Sequence, residues 1–309
     1  MTQARAVVFA YHDVGVRCLK ALLSAGVEVP LVVTVADDPG ETQWYASVAT
    51  TAQDYGLTVV APADANTPEL ERAVAGLSPD FVFSFYYRSM LGLPLLRAAR
   101  RGALNMHGSL LPKFRGRAPV NWAILKGARE CGATLHYMVE RADAGEIVDQ
   151  MAVPILQDDD AREVFAKVTV AAETVIARSL PGLVAGTAPR RPQPIEPRQY
   201  FGRRKPEDGR IDWRCSAGEI HNLVRAVAPP FPGAFAQVGG ERWDIHRTRL
   251  TGAPDAPGGA PRLVSAGAEC FAVCGDGRLL RLLNVLTPRG PLDLTAFAAI
   301  LAERPLPLV

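Results

Sequence analysis

The run AVVFAYHDVGVRCLKALLS, Ala6–Ser24, decides the fold. Its first five residues are apolar and β-prone, and after a short turn Val14–Ser24 carries apolar residues at helical spacing. Outward from it the alternation continues. Val29–Val35 reads as a second strand, Tyr45–Tyr55 as a helix after an Asp/Pro/Gly turn, and Leu57–Val60 as a third strand. Glu69–Ala75 follows as a helix and Phe81–Phe85 as a fourth strand. Alternating β and α units imply a parallel sheet with helices on both faces. The expected fold class is α/β, with a Rossmann-like, doubly wound, mostly parallel sheet. The first turn, AYHDVG, lacks the Gly-x-Gly-x-x-Gly cluster that lets a pyrophosphate approach a helix N-terminus. A nicotinamide or flavin dinucleotide is therefore not expected, and no Walker-type phosphate loop occurs either.

Pro181–Arg210 changes character, with repeated Pro, Arg and Gly, and reads as a connection between compact units. Beyond it lie a helix-like stretch, Ala217–Val227, and several short β-like runs broken by Gly/Pro/Asp clusters. That pattern suits a small β-barrel or sheet. The expected organisation is a catalytic domain over residues 1–200 and a smaller β-rich, OB-like domain over 201–309.

Charge and composition exclude some classes. Lys+Arg total 34 against Asp+Glu 32, a formal net charge of +2, which does not suit a protein that must neutralise many phosphates. No nucleic-acid partner is expected. The N-terminus lacks the apolar core and small-residue cleavage site of a secretory signal. Apolar stretches are punctuated by Arg, Gly or Pro, so no membrane insertion is expected, and a cytoplasmic location follows. Five scattered cysteines read as reduced, mostly buried thiols. Only Cys270 and Cys274 lie close together, without a histidine partner motif, so no metal site is expected.

The chemistry concentrates in Ala103–Gln150. ALNMH (Ala103–His107) reads as a strand, on which Asn105 and His107 face one way and Leu104 and Met106 the other. In a parallel sheet a polar pair at a strand's carboxyl end sits where ligands bind. A second strand, Thr134–Val139, runs into ERADAG and is expected to deliver Asp143 at the same edge. The three side chains suit acyl transfer. A carboxylate can hold the imidazole tautomer and raise its pKa. The imidazole can move a proton, and the amide can donate to an oxyanion. Ser109 is not in a Gly-x-Ser-x-Gly elbow, which favours direct attack by an amine over a covalent acyl-enzyme. On spacing alone an Asn-x-His at a strand end is equally open to a structural reading.

Two longer runs carry more. NMHGSLLPKFRGR (Asn105–Arg117) and GATLHYMVERADAGEI (Gly132–Ile147) resemble the two signatures of the folate-dependent formyltransferases. HNLVRA (His221–Ala226) and PGA (Pro232–Ala234) resemble the start of the C-terminal domain in the two-domain members. FAYHDVG, SFYYR (Ser84–Arg88), RGRAPVNW (Arg115–Trp122) and RADAG (Arg141–Gly145) are most similar to the formyltransferase domain of the bifunctional enzyme of lipid A aminoarabinose modification, which underlies polymyxin resistance. The resemblance implies 10-formyltetrahydrofolate as co-substrate and UDP-4-amino-4-deoxy-L-arabinose as acceptor. It implies Asn105, His107 and Asp143 as the catalytic trio. Folate contacts are implied for Ser89, Met90 and Leu91, for Arg117, and for Val139, Glu140, Arg141 and Ala142. The decarboxylase domain of that enzyme is not in this sequence, so its hexamer is not carried over, no oligomeric state is assigned, and another aminosugar nucleotide could be the acceptor.

Other residues have two readings. His136 reads as a buried, hydrogen-bonded histidine, or as support for the site. His12, after the first strand, could line the pocket or serve the turn beside Asp13. His221 and His246 read as structural, and Trp122 as a core or pocket-wall residue. Arg203 and Arg204 form a solvated charge run with Lys205, or else bind the diphosphate of a sugar nucleotide. Rival functions are a methionyl-tRNA formyltransferase, a glycinamide ribonucleotide formyltransferase, a hydrolase releasing formate, and a non-catalytic folate-binding module. The short, acidic Ala36–Glu41 loop (ADDPGE) argues against tRNA, which calls for basic surface.

Overall fold

Strand β1 (Arg5–Ala10) is apolar on both faces because it lies at the centre of a sheet, buried from Ala6 onward. A computed structural model describes residues 3–36, 43–194, 200–252, 260–303 and 305–308. Residues 37–41 of the acidic Ala36–Glu41 loop lie outside the described residues, as does 195–199 of the Pro-rich stretch. The chain divides into two compact units. One comprises residues 1–119, 130–154 and 165–202; the other comprises 120–129, 155–164 and 203–309.

In the first unit β1 is followed by α1 (His12–Ser24), β2 (Glu28–Val33), α2 (Val48–Asp54) and β3 (Val59–Val60). Then come α3 (Pro68–Gly76), β4 (Phe81–Phe85), α4 (Leu93–Arg97) and β5 (Gly102–His107). Short β6 (Arg115–Gly116), β7 (Glu130–Tyr137) and β8 (Ile147–Pro154) follow; α5 (Pro119–Leu125), between β6 and β7 in the chain, belongs from Val120 onward to the other unit. The sheet order is β3-β2-β1-β4-β5-β7-β8. The first five strands pair in parallel, which gives the expected doubly wound arrangement. Val7, Phe9, Leu31, Val33, Val82 and Leu95 belong to the apolar cluster on one sheet face.

One expectation fails here. The strand before Asp143 runs antiparallel to β5, as β8 does to β7. Its carboxyl end, Tyr137, therefore lies opposite Leu104 and away from His107. The chain must double back through 138–146 to return Asp143 to the histidines. Met138 N donates to Ala103 O (2.7 Å) and Tyr137 N to Glu146 O (2.9 Å) where it turns.

The stretch from Pro181 also begins differently, because α6 (Ala161–Ala185) continues through it with Pro181 inside the helix. Helix α6 is long and apolar enough to cross a membrane by length and composition, and half of its apolar window is buried. It also carries Glu173, which pairs with Arg17, and Arg178, which pairs with Asp149, as in a core helix with one wet side. Strand β9 (Tyr200–Phe201) pairs with β6.

The second unit contains α7 (Ala217–Ala226), then β10 (Ala234–Val238), β11 (Glu241–Leu250), β12 (Arg262–Ala266) and β13 (Glu269–Val273). It ends with β14 (Leu279–Thr287), β15 (Gly290–Pro291), α8 (Leu294–Glu303) and β16 (Leu306–Pro307). Its strands pair antiparallel in the order β10-β11-β14-β13-β12-β16, with β15 beside β14. Helix α7 starts with a capping box, Ser216 and Glu219 each bonding the other's backbone.

Candidate active site

Strand β5 sets the geometry. Asn105 and His107 share a face because strand side chains alternate. On β7, His136 stands opposite Asn105 and Thr134 opposite His107. Directly opposed residues of an antiparallel pair present their side chains to the same face. Asn105, His107, Thr134 and His136 therefore form one polar patch, in which His107, Thr134 and His136 are buried. Thr134 ties the following turn down: its hydroxyl donates to Ser109 O (2.6 Å) and accepts from Leu111 N (3.1 Å).

Asp143 arrives from the doubled-back loop with φ of 51°, a left-handed conformation that is uncommon outside Gly and short polar residues. Its Oδ1 lies 3.6 Å from His107 Nδ1 and 3.7 Å from His136 Nε2. Its Oδ2 accepts from Gly116 N at 3.0 Å. Gly116 itself has φ of 105°, and a Cβ there would run into Phe201 O of the paired strand.

Carbonyl partners fix the protons. His107 Nε2 donates to Phe114 O (3.0 Å) and His136 Nδ1 donates to Tyr137 O (2.9 Å), since carbonyl oxygens only accept. Burial pushes the His136 pKa well below the ordinary histidine value. The nearby Asp143 carboxylate opposes that shift, while His107 and Arg115 reinforce it. His136 is thus neutral near pH 7, and its bare Nε2 accepts from Asn105 Nδ2 at 3.1 Å. This contact sets the Asn105 amide: one N–H goes to His136, and the other has no hydrogen-bond acceptor among the described residues.

The three residues expected to act together do converge, and His136 joins them. The other expected contacts are more dispersed. An open cavity of about 670 Å³ lies beside the Asp143 loop, lined by Leu93, Leu96, Met138, Val139, Gly145 and Gln193 among others. Of the expected folate contacts, Val139 lines this cavity. Ser89 and Met90 are exposed on the loop after β4, and Leu91 packs against the apolar cluster. Asn66 pins that loop, donating to Met90 O (3.0 Å) and accepting from Gly92 N (2.6 Å). Arg117, Glu140 and Arg141 are exposed and Ala142 is half-buried. Arg203 and Arg204 belong to the second unit, where Arg204 lies over the Trp122 ring at 5.1 Å and donates to Asp208 O at 2.9 Å. Its Nε is buried with no partner among the described residues.

His12 takes the turn reading and adds to it. Its Nδ1 accepts from Asp13 N (2.9 Å), while the ring stacks on Tyr45 at 4.1 Å and meets Trp44 and Phe165. Burial, reinforced by Arg88, pushes its pKa down to about 3. His221 is structural within the second unit, held between Thr248 Oγ1 and Gln157 O at 2.9 Å each. Among the described residues no group of three or more His, Cys, Asp or Glu could hold a metal ion.

A doubly wound α/β sheet with an Asn/His/Asp cluster and a separate antiparallel unit defines a recognisable class. The formyl transferase family matches residues 5–180, and the formyl transferase C-terminal domain matches residues 203–299. The chain belongs to the formyl transferase family. Among solved structures it is similar to an N-formyltransferase from Helicobacter canadensis, in complex with folinic acid and dTDP-3-aminofucose. That match has 20% identity and a TM-score of 0.70, and covers 91% of this chain and 99% of that one. It is also similar to WlaRD, a sugar 3N-formyl transferase determined with dTDP and 5-N-formyl-THF, at 18% identity and TM-score 0.71, over 95% and 99% of the two chains. A 4-N formyltransferase from Francisella tularensis matches at 19% identity and TM-score 0.61, over 75% and 91%.

Proposed function

We propose that this enzyme transfers the formyl group of 10-formyltetrahydrofolate to the amine of a sugar nucleotide, UDP-4-amino-4-deoxy-L-arabinose, as a cytoplasmic step of lipid A modification. The observation that carries this reading is the convergence of Asn105, His107, His136 and Asp143 on one polar patch in a formyl transferase chain. Folate-derived ligands and dTDP or a dTDP-aminosugar in two similar structures support the donor and the acceptor class. The FAYHDVG, RGRAPVNW and RADAG runs support the aminoarabinose branch. The catalytic unit is taken as residues 1–200 and the β-rich domain as 201–309.

In the proposed reaction the amine nitrogen attacks the formyl carbon, and the carbonyl electrons move onto oxygen. Asn105 donates its free N–H to that oxyanion while His136 holds the amide in place. His107 donates Nε2–H to Phe114 O, which turns its Nδ1 toward Asp143 Oδ1 at 3.6 Å and holds the ring at the reacting centre. Asp143 takes the amine proton, directly or through water. The oxyanion electrons then return to carbon, the carbon–N10 bond breaks, and the proton held by Asp143 passes to N10, directly or through water, as tetrahydrofolate leaves. Ser89, Met90, Leu91, Arg117 and Val139–Ala142 contact the folate. Arg203 and Arg204 are assigned to the diphosphate.

The test is a formylation assay of the purified protein with 10-formyltetrahydrofolate and a panel of UDP- and dTDP-aminosugars and initiator methionyl-tRNA. The expected result is turnover with the UDP-aminoarabinose. Turnover with tRNA alone, or formate release without any amine, overturns the reading.

A further inference from the structure

We infer that Arg115 and Gln193 are positioning residues that hold Asp143 in register with the two histidines; the inference rests on the catalytic reading of Asp143. Arg115 is a strand residue only 2% exposed, a rare state for arginine unless its donors are all used. Its Nε donates to Asp143 O at 3.1 Å and its Nη2 to Ala142 O at 2.5 Å. Gln193 Nε2 donates to the same Asp143 O at 3.1 Å and to Gly145 O at 2.6 Å. Two side chains distant in sequence thus grip three carbonyls of one loop, and Gly116 N grips the Asp143 carboxylate itself.

The costs of the arrangement argue for a purpose. Gln193 leaves its Oε1 buried without a partner among the described residues. Flipping the amide would place that oxygen against two carbonyls, so the donors are kept on the loop at the expense of the acceptor. Asp143 sits at positive φ, which a non-glycine residue holds only when its surroundings over-determine it. The strand before it points the wrong way, so no regular secondary structure delivers the carboxylate. The clamp supplies what the strand does not. Arginine suits the task because its planar fork donates to two adjacent carbonyls at once, whereas lysine offers a single rotatable head.

The experiment compares Arg115→Lys and Gln193→Ala with Asp143→Asn and with Arg72→Gln, a substitution on an exposed helix. Steady-state kcat and KM are measured with the best acceptor of the panel, and hydrogen exchange follows residues 138–146 by mass spectrometry. A misplacement on the order of 1 Å costs about a hundredfold in turnover. Arg115→Lys and Gln193→Ala are expected to lower kcat by at least about tenfold, with both KM values within about threefold. Exchange at 138–146 should quicken while β1 to β4 stay protected and Arg72→Gln behaves as the parent. If Asp143→Asn keeps full turnover, the catalytic reading fails. If Asp143→Asn is inactive while both clamp variants keep normal kcat and normal exchange at 138–146, the positioning role is overturned. Exchange is read whether or not an acceptor has been found, and uniform loss of protection in both variants would make the role purely structural and overturn it too.

Discussion

A single contact makes His136 more than a packing residue: it can accept from Asn105 only while neutral, and burial keeps it so. Removing Asn105, the proposed oxyanion donor, is expected to lower turnover by at least about a hundredfold, and His107→Ala and Asp143→Asn by similar amounts. Steady-state kinetics on folded variants checks this, and near-normal turnover in His107→Ala would remove the trio from the mechanism. Because the residues act as a unit, a double variant should be far less than multiplicatively worse. Alternation along ALNMH made Asn105 and His107 legible as a polar pair on one face, while their reading with Asp143 as a catalytic trio came from the resemblance of the two longer runs. His136 was legible only as an ambiguity, since cross-strand register is not written in local spacing. Arg115 and Gln193 were not legible in their roles, one inside a longer motif and the other inside a stretch that reads as a connector. His12 carries a prediction about pH. Its folded pKa, about 3, lies below the unfolded value of 6.5, so the unfolded chain binds the extra proton as pH falls. The stability it contributes is complete above about pH 6.5 and is lost as pH falls toward about 3. In urea titrations at pH 7 and pH 5, His12→Phe should flatten the fall in stability by up to about 1.4 kcal/mol per pH unit. An unchanged slope would mean that the ring is charged, or free to titrate, in the folded protein.

At the scale of elements, the parallel half of the sheet follows from its sequence and the antiparallel half does not. Each β-prone run between β1 and β5 is separated from the next by a helix, and that pattern forces parallel neighbours. A period of two has no polarity, however, so the run at 130–137 reads as a strand without reading as a reversed one. Two consequences follow: Asp143 needs the clamp, and the site forms on the face of the β5–β7 pair. The second unit owes more to local signals. Ser216 accepts from Glu219 N at 3.3 Å, and the Glu219 carboxylate accepts from Ser216 N at 2.9 Å. Ser216→Ala should therefore destabilise α7 by about 0.5–2 kcal/mol. Denaturation followed by the fluorescence of Trp213, buried in the same unit, checks it. No shift of the midpoint would mean that Asp276, which accepts from Ala217 N at 3.2 Å, caps the helix alone.

For the whole molecule, identities of 18–20% with TM-scores near 0.7 show how far one fold persists while sequences diverge. Such a fold does not choose the acceptor; the site and the charge around it do. Here 34 basic residues face 32 acidic ones, and a net charge of +2 provides little long-range attraction for a polyanion. The acidic residues of the Ala36–Glu41 loop, which speak against tRNA, lie outside the described residues, so its sequence alone carries that argument. Salt separates the two acceptors quantitatively. A protein that neutralises six to ten phosphates loses about 10³–10⁵ in affinity between 50 and 200 mM salt, through release of condensed counterions. A sugar nucleotide brings one diphosphate and no condensed counterion atmosphere. Its KM should rise by less than about tenfold over that range, with kcat unchanged. Measuring the acceptor KM at four salt concentrations gives the slope directly. A slope approaching that of a multi-phosphate contact would mean that the enzyme holds a nucleic acid, and the acceptor assignment would fall with it.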